Sequence, residues 1–193
     1  MMKIVGERAH QGAVFVYKDD GTESAAWADV EEMVHTSHGP IRGELHSNKQ
    51  ELLTGLKTWN EAVDPSNAHL CIYSHMGAPG IGCAPKNSSA IVTWLELQTA
   101  LPLGVATLWL LGCNSQECLG YWNDLAKPVR NVLLATSGSK CWLPFLKRFA
   151  AEIDMENVRP YDEMPVYLAR VEPELSKHIQ YFRPSGNGFK KAF

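Results

Sequence analysis

The sequence predicts an α/β protein, a three-layer α/β/α sandwich built on a mostly parallel sheet. Three observations predict it. Runs such as His69–Tyr73 and Val105–Leu111 are apolar at nearly every position, which suits strands buried on both faces rather than strands with one wet side. Between such runs lie stretches with apolar residues at helical spacing, and this alternation is the pattern of parallel strands joined by helices. Turn-forming segments, among them Asp19-Asp20-Gly21 and Asp64-Pro65, separate the runs.

Taken in order, Ala13–Tyr17 is apolar, β-branched and aromatic, and reads as the first strand. Thr22 can cap a helix that carries Trp27, Val30, Met33 and Val34 on one face. Ile41–His46 is a weaker strand. Ser47 and Gln50 have capping-box spacing, and the helix they open carries Leu52, Leu56, Trp59 and Val63 before Asp64-Pro65 stops it. His69–Tyr73 is a strand, and Ser74–Gly82 reads as a loop. Ser88 or Ser89 caps a helix with Ile91, Trp94, Leu95 and Leu101 inward, ending before Pro102. Val105–Leu111 and Val132–Ala135 are strands, and Trp142–Ile153 is a helix with Phe145, Phe149 and Ile153 inward. Beyond it, Val166–Val171 and His178–Phe182 read as two short elements, and Ser185–Gly188 as the start of a loose tail.

Composition narrows the function class. Eighteen Lys and Arg against 21 Asp and Glu make a net charge of −3, which argues against nucleic acid as a partner, since phosphate neutralisation needs a basic face. Five cysteines without a CxxC pair suggest a reducing compartment. The N-terminal residues hold no apolar stretch of signal-peptide length, and the longest apolar run falls far short of the roughly 20 residues a membrane span needs. The expectation is a cytoplasmic protein with no membrane partner.

In open parallel sheets, ligands bind outside the carboxyl ends of the strands. His75 follows the strand at 69–73 and Cys113 follows the strand at 105–111. Neighbouring strands lie roughly 5 Å apart, so if these two are neighbours a thiol faces an imidazole that can take its proton. A helix starting near Asn114-Ser115 would favour a thiolate and a developing oxyanion. Gly77 would let a backbone N–H approach a substrate carbonyl, and Gly112 would permit the sharp turn that presents Cys113.

An apolar strand ending in Ser74-His75-Met76-Gly77, a crossover helix, and an apolar strand ending in Gly112-Cys113-Asn114-Ser115 together resemble the caspase-hemoglobinase fold, and within it the CHAT type. The resemblance covers about residues 13–153 of a single domain spanning 1–193, with 154–193 as a C-terminal appendage. It implies a cysteine endopeptidase with Cys113 as nucleophile and His75 as general base and acid. The oxyanion hole would come from the backbone amides of Cys113 and Gly77. It implies no cofactor and no metal, a protein or peptide substrate, and control by a regulatory protein partner in a bacterial defence setting. Met76 stands between the His and Gly of the usual His-Gly pair, and Gly112 replaces the acidic residue or Ala found before the cysteine in relatives; the latter leaves substrate preference open. Asp19 and Asp20, at the end of the first strand, would read a basic substrate side chain. Ser137 and Trp142 would line the same cleft.

Other readings compete. Cys113 can be a buried structural thiol and His75 a loop histidine bonded to backbone. His35 with His38, Cys113 with Cys118 and His75 with Cys83 can be argued as metal-ligand pairs, although none has a familiar zinc spacing. The glycines at 77–82 invite a nucleotide, but lack GxGxxG order and the Walker Lys-Ser/Thr. The whole domain can also be a catalytically inactive regulatory or scaffold module, or a Rossmann-like nucleotide sensor.

Overall fold

A computed structural model of the chain describes residues 12–18, 41–82, 88–122, 129–138, 173–186 and 188–192. Its centre is a mostly parallel sheet. Strand β1 (Gly12–Tyr17) pairs in parallel with β2 (Ile41–His46) on one side and β3 (His69–Tyr73) on the other. The hairpin β4 (Met76–Gly77) and β5 (Gly80–Ile81) follows, and β6 (Val92–Thr93) joins it to make a small antiparallel sheet. Strands β7 (Val105–Leu111) and β8 (Val129–Thr136) continue the parallel sheet beside β3. Strand β9 (Ile179–Ser185) runs antiparallel to β8, and β10 (Gly188–Lys191) antiparallel to β9. The order of the large sheet is β10-β9-β8-β7-β3-β1-β2.

Every residue of β1 and β7 is buried, so both faces of these strands are covered, as their almost unbroken apolar sequences require. Helix α1 (Lys49–Ala62) turns Leu52, Leu56 and Trp59 into the core, and Val63 completes the stripe. Asn60, buried on the same helix, donates to the Gly104 carbonyl at 2.7 Å and accepts from the Leu103 N–H at 2.9 Å. It thereby anchors the segment that leads into β7, and its polar atoms are satisfied in the core. Helix α2 (Trp94–Thr99) buries Trp94 and Leu97. Two one-turn helices, α3 (Leu119–Trp122) and α4 (Pro173–Ser176), complete the described set. No described helix is long and apolar enough to cross a membrane.

Several elements differ from the sequence expectation. The α1 cap is Asn48 rather than Ser47: its Oδ1 accepts from the N–H groups of Gln50 and Glu51 at 2.8 and 3.2 Å, satisfying donors that the first turn leaves open. The helix expected from Ser88 or Ser89 is a 3-10 turn at Ser88–Ala90. Val92 and Thr93 then pair with β5, and Thr93 with Glu96 forms the capping box of α2. Starting the helix there puts Leu95 on the outside, 54% exposed, instead of in the core. Ser74–Gly82 is not a plain loop, because Ala78 and Pro79 turn β4 back onto β5. Ser185 and Gly188 do not begin a loose tail: they pair as the first step of the antiparallel β9–β10 ladder, with Gly186 at φ +55°. The segment read as an appendage therefore supplies two strands of the large sheet. The expected helices at 22–34 and 142–153 and the element at 166–171 lie outside the described residues.

Candidate active site

The carboxyl ends of the parallel strands meet at one edge of the sheet. The direction of successive connections reverses at β1, because β2 lies on one side of it and β3 on the other; crevices for ligands form at such switch points. Strands β3 and β7 are direct neighbours, and their last registered pair is Tyr73 with Leu111. Two residues further along each strand stand His75 and Cys113.

The backbone on either side of His75 is held. Ser74 is buried, donating from its N–H to the Leu111 carbonyl at 3.3 Å and from its Oγ to the Tyr17 carbonyl at 2.9 Å. Met76 is buried too, and the His75 carbonyl accepts from the Gly82 N–H at 2.7 Å. His75 itself is exposed. An exposed imidazole between two buried neighbours is a side chain delivered to the surface from a fixed backbone.

The segment carrying Cys113 lies against the one carrying His75. A Cβ on Gly112 would sit 2.3 Å from the Ser74 carbonyl oxygen and 2.5 Å from Met76 Cγ, so glycine is the residue that lets the two strand ends come this close. Gly112→Ala should lower stability by about 1–3 kcal/mol, the usual effect of overpacking a tight site. Urea denaturation checks this, and an unchanged midpoint would contradict the contact.

Beyond Cys113 the chain takes a left-handed step at Asn114 (φ 51°) into a 3-10 turn, Ser115–Cys118, which runs on into α3. The helix expected to start near Asn114-Ser115 is thus a 3-10 turn followed by a single α-helical turn. Fewer aligned peptides make a smaller dipole than a full helix would bring to Cys113. Ser115 is buried: its Oγ donates to the Leu110 carbonyl at 2.8 Å and accepts from the Thr136 N–H at 2.8 Å. Thr136 Oγ1 in turn donates to the Gly112 carbonyl.

Cys113 is partly exposed, while Cys71 and Cys118 are completely buried. Burial pushes both of those thiols well above the ordinary cysteine range, since an apolar surrounding penalises the thiolate. Among the described cysteines, Cys113 is therefore the one placed to react. Iodoacetamide should alkylate it at least about tenfold faster than Cys71 or Cys118 in the folded protein, as read by peptide mass spectrometry; equal rates would sink this assignment.

The other expected site residues divide. Gly77 lies in β4, paired with Gly80, and its carbonyl accepts from Trp94 Nε1 at 3.2 Å. Ser137 follows β8 at the same sheet edge, and both its N–H and its Oγ donate to the His178 carbonyl, at 2.8 and 3.2 Å. Asp19, Asp20 and Trp142 lie outside the described residues, as do Cys83 and Cys141. Among the described residues, no group of three or more His, Cys, Asp or Glu side chains is placed to hold a metal ion.

Two features of this edge were not singled out from the sequence. His178 immediately precedes β9, and because β9 is antiparallel this brings it to the end of β8, where a Cβ on Gly138 would lie 3.9 Å from its Nδ1. Asn114 and Gly138 bond to each other twice: the Asn114 N–H donates to the Gly138 carbonyl at 3.2 Å, and the Gly138 N–H donates to Asn114 Oδ1 at 2.6 Å. Only the sequence signal of a residue tolerant of left-handed backbone, directly after Cys113, hinted at the second.

A shallow groove of about 670 Å³ lies elsewhere, between α1 and α2, lined by residues including Leu53, Lys57 and Leu95. It contains neither His75 nor Cys113. No family model matches the chain, and no curated protein or solved structure matches it.

Proposed function

We propose that this chain is a caspase-like cysteine endopeptidase of the CHAT type, hydrolysing a peptide bond in a specific protein target through a Cys113–His75 dyad. One observation carries the reading. His75 and Cys113 extend to equal distances in sequence beyond the last registered pair of two adjacent parallel strands, and the backbone next to each is in contact across the strand ends. The fully buried strands β1 and β7 support the finer reading of the fold as a three-layer sandwich, and its caspase-like character rests on the resemblance of the two strand-end motifs.

In this mechanism His75 takes the proton from the Cys113 thiol, and the sulfur attacks the substrate carbonyl carbon. Backbone amides hold the oxyanion that forms. The Cys113 N–H is the donor nearest the reacting sulfur in the chain; the Gly77 N–H is its partner in the reading from family resemblance. Collapse of the tetrahedral adduct breaks the C–N bond, and His75 returns its proton to the departing amine. Water, deprotonated by His75, then cleaves the thioester and restores the thiol. The chemistry asks for no metal or organic cofactor. The chain would work in the cytoplasm, under the control of a protein partner in a bacterial defence setting, with a protein or peptide as substrate.

A panel of peptidyl acyloxymethyl ketones differing at the residue next to the electrophile tests the reading. An adduct formed on Cys113 with clear preference among the peptides, and slowed by His75→Ala, supports it. Labelling that follows simple thiol accessibility, indifferent to the peptide and to His75, speaks against an endopeptidase.

A further inference from the structure

The hydrogen bonds at the end of β7 form a pattern around Cys113. Gly112 is held through its carbonyl by Thr136 Oγ1, and Ser115 through its Oγ by the Thr136 N–H at 2.8 Å. Asn114 is held through both its N–H and its side chain by Gly138, at 3.2 and 2.6 Å. All of these partners belong to β8 or to the two residues after it. The bonds reach the residues on both sides of Cys113 and pass over Cys113 itself.

Asn114 is the hinge of this arrangement. It is the one non-glycine residue with positive φ among the described residues (φ 51°, ψ 32°). Asn tolerates that conformation better than most residues because its short polar side chain bonds locally. Here the left-handed step coincides with a turn of the Asn114 N–H and Oδ1 toward one residue just past the end of the next strand, Gly138, itself at φ +75°. A residue held in an uncommon conformation by surrounding bonds, directly beside a reactive group, is the situation in which backbone strain serves a site. The same bonds have a chemical consequence. The Asn114 N–H, the amide next after the nucleophile, is spent on Gly138, so of these two neighbouring amides the Cys113 N–H is the one left for the oxyanion, beside that of Gly77.

We infer that Asn114 is a positioning residue for Cys113: by clamping the loop after β7 to the loop after β8, it sets the direction in which the thiol is presented. The inference rests on the proposed dyad for its role in catalysis, but it concerns the reactivity of Cys113 directly and is measured without a protein substrate.

The test is the rate of Cys113 carbamidomethylation by iodoacetamide in the full-length protein, read by peptide mass spectrometry alongside a thermal melt. Asn114→Gly keeps the left-handed backbone and removes the side-chain acceptor; it should leave the melting temperature within a few degrees and slow Cys113 at least about fivefold, because reactivity follows thiolate character and access. Asn114→Asp keeps an acceptor oxygen in the same place and should restore the rate to within about twofold of the parent. If Asn114→Gly does not fold, Asn114→Ser, whose hydroxyl is too short to repeat the bond, takes its place with the same expectation. An unchanged or faster rate in the folded variant overturns the inference, as does failure of Asn114→Asp to restore it. A His75→Ala variant that alkylates like the parent overturns the dyad alone, since the Asn114 rates are compared with the parent and not with His75.

Discussion

Cys113→Ala should lower the cleavage rate of a protein substrate by about a thousandfold or more, and His75→Ala by a comparable factor. The thiol supplies the bond-forming electron pair, and alanine has none to offer. Without the imidazole the thiol must ionise unaided, and the leaving amine must depart without a positioned acid. The two residues act as one unit, so the double variant should be little worse than either single one. Residual cleavage would come from the backbone amides and from substrate binding. The measurement is kcat/KM on a confirmed substrate for the parent and all three variants. If both single variants keep full activity, the dyad is wrong; if their effects multiply, the residues act independently.

The second large effect is on stability in acid, and it arises at the opposite edge of the sheet. His69 opens β3, in register with Gly12 of β1 and Thr107 of β7, and its Nδ1 shares a hydrogen bond with Thr107 Oγ1. Burial lowers its pKa from 6.5 to about 4, because the charged ring is poorly solvated there. Unfolding returns the ring to water and to its ordinary value. Between about pH 6.5 and 4 the unfolded chain therefore binds more protons than the folded one, and stability falls as the pH falls. Above this window the contribution of His69 is fully present; by about pH 4 it is lost, at a cost of about 3 kcal/mol. Urea unfolding at pH 7, 5.5 and 4.5 should show this decline in the parent. His69→Asn, which can still bond Thr107 but does not titrate, should show a shallower one. Parallel declines in the two proteins would remove His69 as the cause.

The strands were the most legible part of the chain. His69–Tyr73 and Val105–Leu111 have in the structure the limits their sequences predict, because the stretches buried on both faces, Leu70–Ile72 and the whole of β7, are apolar at every position but Thr107. The stripe Leu52, Leu56, Trp59 and Val63 is equally plain, since helix α1 has to cover the sheet with one face. Helix starts were less legible. Ser47 and Asn48 are both good caps, and only the path of the entering chain decides which one reaches the open N–H groups. Ser88 and Ser89 were the caps read for the next helix, but Val92 pairs with Ile81 first, and the helix starts only after Thr93. Two-residue strands such as β4 and β5 are too short to carry any periodicity.

His75 and Cys113 could be picked out because chemistry-bearing residues at strand ends are informative wherever a sheet is parallel. Asn114, Gly138 and His178 could not, although each is a single residue in plain view. Their importance comes from β8 lying beside β7 and from β9 running the other way beside β8.

By itself the sequence determined the elements and the shortlist: which segments are buried strands, which helix face points inward, and which thiol and imidazole stand at strand ends. These are properties of short windows, written in burial periodicity and in the conformational preferences of individual residues. Tertiary structure alone decided that β3 and β7 are neighbours, that Gly112 meets Ser74 and Met76, and that Asn114 is clamped to Gly138. Those outcomes depend on strand order and on hydrogen bonds between residues far apart in the chain. They are selected by packing the whole sheet, and no local window carries that information.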